Sequence, residues 1–77
     1  MKKEYRNEKG ELHRTDGPAL ITDLGRNWYI NGKLHREDGP ALQYPGIERW
    51  WLNGVEYTEE EYQHELVKIK LKRLIEL

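Results

Sequence analysis

The chain has 77 residues, 13 basic and 14 acidic, with a net charge of −1, which indicates one domain with no global field to attract nucleic acid or an anionic membrane. It contains no cysteine, so neither disulfides nor cysteine–zinc sites can brace a core that covers only about 60% of the unfolded chain's surface. Three tryptophans and five tyrosines are more aromatic residues than a disordered chain carries.

The N-terminus, Met1-Lys2-Lys3-Glu4, leads into charge rather than an apolar stretch. No signal peptide is expected. No later apolar run approaches the roughly 20 residues that span a bilayer. The cytoplasm is the expected location, without a membrane partner.

From Gly10 onward the chain repeats itself. Gly10-Glu11-Leu12-His13-Arg14-Thr15-Asp16-Gly17-Pro18-Ala19-Leu20 recurs 22 residues later as Gly32-Lys33-Leu34-His35-Arg36-Glu37-Asp38-Gly39-Pro40-Ala41-Leu42. The register holds through Trp28-Tyr29-Ile30 against Trp50-Trp51-Leu52, and through Asn31-Gly32 against Asn53-Gly54. A fixed period of this length marks one supersecondary unit used repeatedly.

Each unit carries strand and turn chemistry. Asn-Gly supplies the two positive φ angles of a type I′ hairpin, so residues 28–30 are predicted to pair with 33–35, and 50–52 with 55–57. Asp16-Gly17-Pro18 and Asp38-Gly39-Pro40 are loop signals. Leu20-Ile21-Thr22 and Leu42-Gln43-Tyr44 are predicted strands that turn back at Asp23-Leu24-Gly25 and Pro45-Gly46. The expectation is an antiparallel meander of about six short strands over residues 9–57.

A helix follows over residues 58–76. Thr58 and Glu61 have capping-box spacing, three acids open the first turn, and Lys68, Lys70, Lys72 and Arg73 lie towards the far end, as the helix dipole favours. Tyr62, Leu66 and Ile69 form one apolar stripe, while Val67, Leu71 and Leu74, with Ile75 alongside, form another. One stripe should pack on the sheet. The second predicts a helix-mediated homodimer, unless the sheet wraps the helix widely enough to cover both. The whole is a single α+β domain, 1–77: a β-hairpin repeat meander and one C-terminal amphipathic helix.

The string from Trp28 to Ala41 resembles a W-Y-x-N-G-x-x-H-R-x-D-G-P-A repeat of small, mostly uncharacterised proteins of bacteriophages and giant viruses, loosely akin to MORN-type hairpins. The likeness covers roughly residues 9–58 and implies a viral accessory protein acting in a host cytoplasm. It carries no agreed activity and no catalytic residues. The first unit departs from it, since Tyr5-Arg6-Asn7-Glu8-Lys9-Gly10 lacks both the tryptophan and the Asn-Gly turn, so its hairpin is expected to be irregular.

Three groups of residues are candidates for function. His13-Arg14 and His35-Arg36, stacked by the repeat, could form an anion pocket, with each arginine offering a planar fork to phosphate or carboxylate. The plainer alternative, favoured because the motif repeats with its turn, is that each arginine pairs with Asp16 or Asp38 and pins the loop. A zinc site from His13, His35 and either aspartate has weak support, so no metal or other cofactor is expected. Trp28 and Trp50 should share one sheet face, and Tyr29 and Trp51 the other. The helix can cover only one, and the second pair is a candidate partner-binding platform. Val67, Leu71 and Leu74 are the candidate dimerisation residues. The chain lacks serine and cysteine, and no threonine or tyrosine sits in a nucleophile–base arrangement, so an enzyme is not expected. A non-enzymatic module that binds and inhibits a host enzyme or defence component leads; sequestration of a nucleotide or other small anion and self-associating structural protein are the alternatives.

Overall fold

In a computed structural model of the chain, which describes residues 1–76, eight short strands precede one helix: β1 (Lys3–Glu4), β2 (Leu20–Ile21), β3 (Arg26–Asn27), β4 (Tyr29–Ile30), β5 (Lys33–Leu34), β6 (Leu42–Tyr44), β7 (Ile47–Leu52), β8 (Val55–Tyr57) and α1 (Glu59–Ile75). All pairings are antiparallel, in the order β1-β2-β3-β6-β7-β8, with β4 and β5 forming their own hairpin. The architecture is α+β.

Backbone hydrogen bonds outside the named strands join these segments into six longer runs. The Arg14 and Gly32 N–H groups donate to the Tyr29 and Leu12 carbonyls at 3.1 and 2.8 Å, so residues 12–14 lie beside β4. Arg36 and Gly54 repeat the pattern onto Trp51 and Leu34 at 3.3 and 2.8 Å, setting 34–36 beside the end of β7. Residues 26–30 therefore form one run, paired along both edges. Residues 12–21 and 34–44 form two more, each interrupted midway where the Asp-Gly-Pro loop leaves the sheet. The predicted meander of about six strands is this arrangement.

Both Asn-Gly pairs adopt the predicted left-handed conformation, with φ of 48° and 80° at Asn31 and Gly32 and 51° and 81° at Asn53 and Gly54. The hairpin registers follow: Tyr29 faces Leu34, and Trp50 faces Tyr57. The first hairpin is irregular as expected. Its turn is one residue longer and is organised by Asn7, whose Oδ1 accepts the N–H groups of Lys9 and Glu11 at 3.0 Å each. Two strands escape the sequence pattern. Lys3–Glu4 and Arg26–Asn27 are polar segments made strands by ladder partners on β2 and β6, not by local propensity.

The helix begins at the predicted cap. Thr58 accepts from the Glu61 N–H, Glu61 reaches back to the Thr58 N–H, and Lys72 and Arg73 close the last turn. Tyr62 and Leu66 pack with Leu52, flanked by Trp50, Tyr57 and Ile69. The rest of the buried apolar set is Ala19 and Ala41, both 0% exposed, at equivalent positions of the repeat. The slab is 17 Å through its shortest axis, which leaves room for a single sheet and a helix over one end. The wrapping alternative does not occur: Val67, Leu71 and Leu74 are 56%, 53% and 67% exposed.

Candidate functional site

Each Arg-x-Asp-Gly-Pro segment folds around its arginine. Arg36 Nε donates to Asp38 Oδ1 at 2.9 Å and Nη1 to the Pro40 carbonyl at 3.0 Å. Arg14 makes the same pair of bonds to Asp16 and Pro18 at 3.0 and 3.1 Å. The guanidinium thus bridges the loop base, where the chain leaves and re-enters the sheet. Its other surface rests on an aromatic ring: Arg36 Cζ lies 3.8 Å from the Trp28 ring centroid, and Arg14 Cζ 4.1 Å from that of Tyr5. Tyr5 therefore stands in the first unit where Trp28 stands in the second, displaced by one residue because the first turn is longer. Sequence reasoning missed this substitution. A Cβ on Gly39 would lie 2.7 Å from Arg36 Cζ, so a side chain there would have to displace the guanidinium from its place under the loop.

The histidines hold one repeat to the next. His13 Nδ1 accepts the Asn31 N–H, and His35 Nδ1 accepts the Asn53 N–H, each at 3.0 Å. An Nδ1 that accepts leaves the imidazole proton on Nε2, and His35 Nε2 accordingly donates to Glu37 Oε2 at 2.8 Å. Glu37 also receives a two-pronged contact from Arg73 of α1, 2.6 Å at each oxygen. Chiefly through that guanidinium, with His35 helping, the carboxyl is held down at about 2. The helix is thereby clasped to the second loop by residues 36 positions apart. No local signal reports such a pair. The first unit has Thr15 in the equivalent place and lacks the clasp.

Arg14, Arg36 and Glu37 open onto a groove of about 980 Å³ between the sheet and α1, whose walls include Trp28, Ile69 and Arg73. Arg14, His35 and Arg36 of the predicted His-Arg groups thus share one surface, which His13 does not line, but Nε and Nη1 of each arginine are already committed to the chain's own acceptors, and Arg36 covers the Trp28 ring. Among the described residues no three His, Asp or Glu side chains are grouped to hold a metal ion. Among the described residues no helix is long and apolar enough to cross a membrane.

The aromatic candidates separate as the alternation predicts. Trp50 faces the helix, its ring centroid 4.9 Å from that of Tyr62. Tyr29 and Trp51, adjacent in sequence to Trp28 and Trp50, take the other face, which no helix covers. Tyr29 and Trp51 are half-buried there by their neighbours, and Trp51 Nε1 is enclosed without a hydrogen-bond partner. The dimerisation candidates Val67, Leu71 and Leu74 stand exposed together with Ile75, itself 83% exposed. His64 is exposed nearby.

No known family profile, curated protein sequence or solved structure matches the chain.

Proposed function

We propose that the chain is a small non-catalytic protein-binding module. The observation that carries this reading is the far side of α1, where Val67, Leu71, Leu74 and Ile75 are each more than half exposed. Their continuity on one helix face supports a docking surface, since scattered apolar residues need no explanation but a contiguous set does. The half-exposed Tyr29 and Trp51 on the open sheet face are a second candidate contact. Taken with the repeat's resemblance to viral proteins, this supports an accessory protein that docks on a host enzyme or defence component and inhibits it. Self-association through Val67, Leu71 and Leu74 would cover the same stripe.

Sequestration of a nucleotide or other small anion has less support. Arg14 and Arg36 already bond the chain's own aspartates and carbonyls, and a ligand would have to break those bonds to use them. Native mass spectrometry of the protein, gently isolated from the cells that make it, separates the readings. A complex with another polypeptide is expected. A single chain or a dimer retaining a small anionic adduct would overturn the proposal.

A further inference from the structure

The repeat sends apolar residues to both faces of the sheet. On the face away from α1, Leu20, Asn27 and Leu42 are cross-strand partners in one row, with Glu4 before them and Arg49 after them. Arg6, Tyr29 and Trp51 lie two residues beyond Glu4, Asn27 and Arg49, so they share that face. Opposite them stand Leu12, Leu34 and Glu56, which completes a second row across all six runs. Leu12, Leu20, Tyr29, Leu34, Leu42 and Trp51 are half-buried by their neighbours in the sheet, while α1 packs on the other side. Asn27, set among them, already accepts the Tyr44 hydroxyl at 2.8 Å. An antiparallel sheet with one face in water ordinarily turns polar residues towards it. This one is apolar on both sides.

The second row ends in opposite charges. Arg6 occupies the place of Tyr29 where the array begins, and Glu56 the place of Leu34 where it stops. We propose that two copies of the chain pack these faces together about a two-fold axis parallel to the strands. That operation reverses the strand order, so Arg6 meets Glu56 of the second copy, Leu12 meets its Trp51, and Tyr29 meets its Leu34. Cation meets anion and each ring meets a leucine, as interdigitating sheets require. Each end already holds an ion pair, Arg6 with Glu4 and Arg49 with Glu56, so joining the ends builds an alternating cluster of charge. A two-fold across the strands does less well, because it sets Asn27 against Tyr29 and leaves Glu56 without an opposite charge. Size agrees. A stable pair buries roughly 800 Å² on each partner, and the broad side of the slab, 41 × 33 Å, is large enough to supply it. Among the described residues the buried core under α1 is Leu52, Tyr62 and Leu66, and a small cysteine-free chain gains by pairing what so thin a core lacks. The outer side of α1 is untouched by this pairing and stays open to a different partner.

The test combines sedimentation of the purified full chain over a wide range of concentration with thiol crosslinking. The wild type is expected to sediment as a dimer. Tyr29→Glu places a charge at the centre of the joined faces and should raise the dimer dissociation constant on the order of a hundredfold, with folding checked by circular dichroism. Because the chain has no cysteine of its own, Arg6→Cys and Glu56→Cys at the two exposed ends each give a single thiol. Within one copy the two positions are about 24 Å apart, five strand spacings of ~4.8 Å. A short bifunctional thiol reagent should therefore join an equal mixture of the two variants, Cys to Cys between copies, and leave either variant alone unjoined. This readout decides the matter even if Tyr29→Glu fails to fold. A wild type that stays monomeric at every concentration overturns the proposal and leaves the face to another partner. Crosslinking of Arg6→Cys or Glu56→Cys with itself, or none in the mixture, also overturns it. So does a dimer that survives in folded Tyr29→Glu but dissociates in Leu71→Glu, which would put the interface on α1.

Discussion

The Tyr62 ring rests against Trp50, with centroids 4.9 Å apart, much as the Arg36 guanidinium rests on Trp28. The repeat would place another arginine at position 58, but Thr58 stands there and starts the helix. Tyr62, one turn into α1, covers the tryptophan instead, and its hydroxyl donates to the Arg36 carbonyl at 2.5 Å. The helix therefore closes the array by replacing the next unit's arginine with an aromatic ring. Tyr62→Ala should lower stability by about 3–5 kcal/mol, the range for emptying a buried aromatic site. Tyr62→Phe keeps the ring and should cost about 1–2 kcal/mol for the carbonyl left unpaired. Urea unfolding of the two variants separates the contributions.

Arg36→Lys is expected to behave as a structural lesion. Lysine cannot bond Asp38 and the Pro40 carbonyl while lying flat on Trp28, so a loss of roughly 1.5–3 kcal/mol is expected from the charge-assisted bonds. Thermal unfolding should show it. Unchanged stability with loss of a small-anion ligand would instead return the arginine to a binding role.

Glu37 sets an acid limit. Its carboxyl is lowered from 4.5 to about 2 in the folded chain, first by Arg73 and then by His35. Because the folded value lies below the unfolded one, its contribution is complete above about 4.5 and declines as pH falls towards 2. Arg73 is well exposed, so the contribution is discounted for solvent screening to about 1 kcal/mol. Wild type and Glu37→Gln should therefore differ in melting temperature at pH 6 and converge near pH 2. Glu4, lowered by Arg6, titrates in both proteins and cancels.

Leu71→Glu should leave the unfolding free energy unchanged to within about 0.5 kcal/mol, as for surface changes generally, while abolishing partner binding. Leu66→Ala, on the buried side of the same helix, should cost about 2–5 kcal/mol. Denaturation of the pair tests the assignment of the helix faces without knowledge of any partner.

Asn53→Ala should be destabilising, because Asn53 sits at φ of 51° in a conformation that disfavours a Cβ unsupported by a local polar group. Asn53→Gly should be nearly neutral by comparison. Amide exchange at Gly54, whose N–H is held by the Leu34 carbonyl, would report whether the turn opens.

The sequence by itself determined whatever rests on local chemistry or on repetition. The Asn-Gly turns, the Thr58–Glu61 cap, the helix span and the strand-and-loop order follow from backbone preferences that act within a few residues. The 22-residue period also favoured loop pinning over anion binding for Arg14 and Arg36, because a role tied to the turn must recur with it. Tertiary structure alone decided the rest. Arg26–Asn27 is a strand because its neighbours offer a ladder, Tyr5 takes the tryptophan's place because one added residue shifts the register, and Glu37 meets Arg73 only once the helix has docked. It also decided that Val67, Leu71 and Leu74 stay uncovered. Periodicity marks a helix stripe as apolar, but how far the sheet reaches around the helix depends on contacts between residues distant in the chain, which no local pattern encodes.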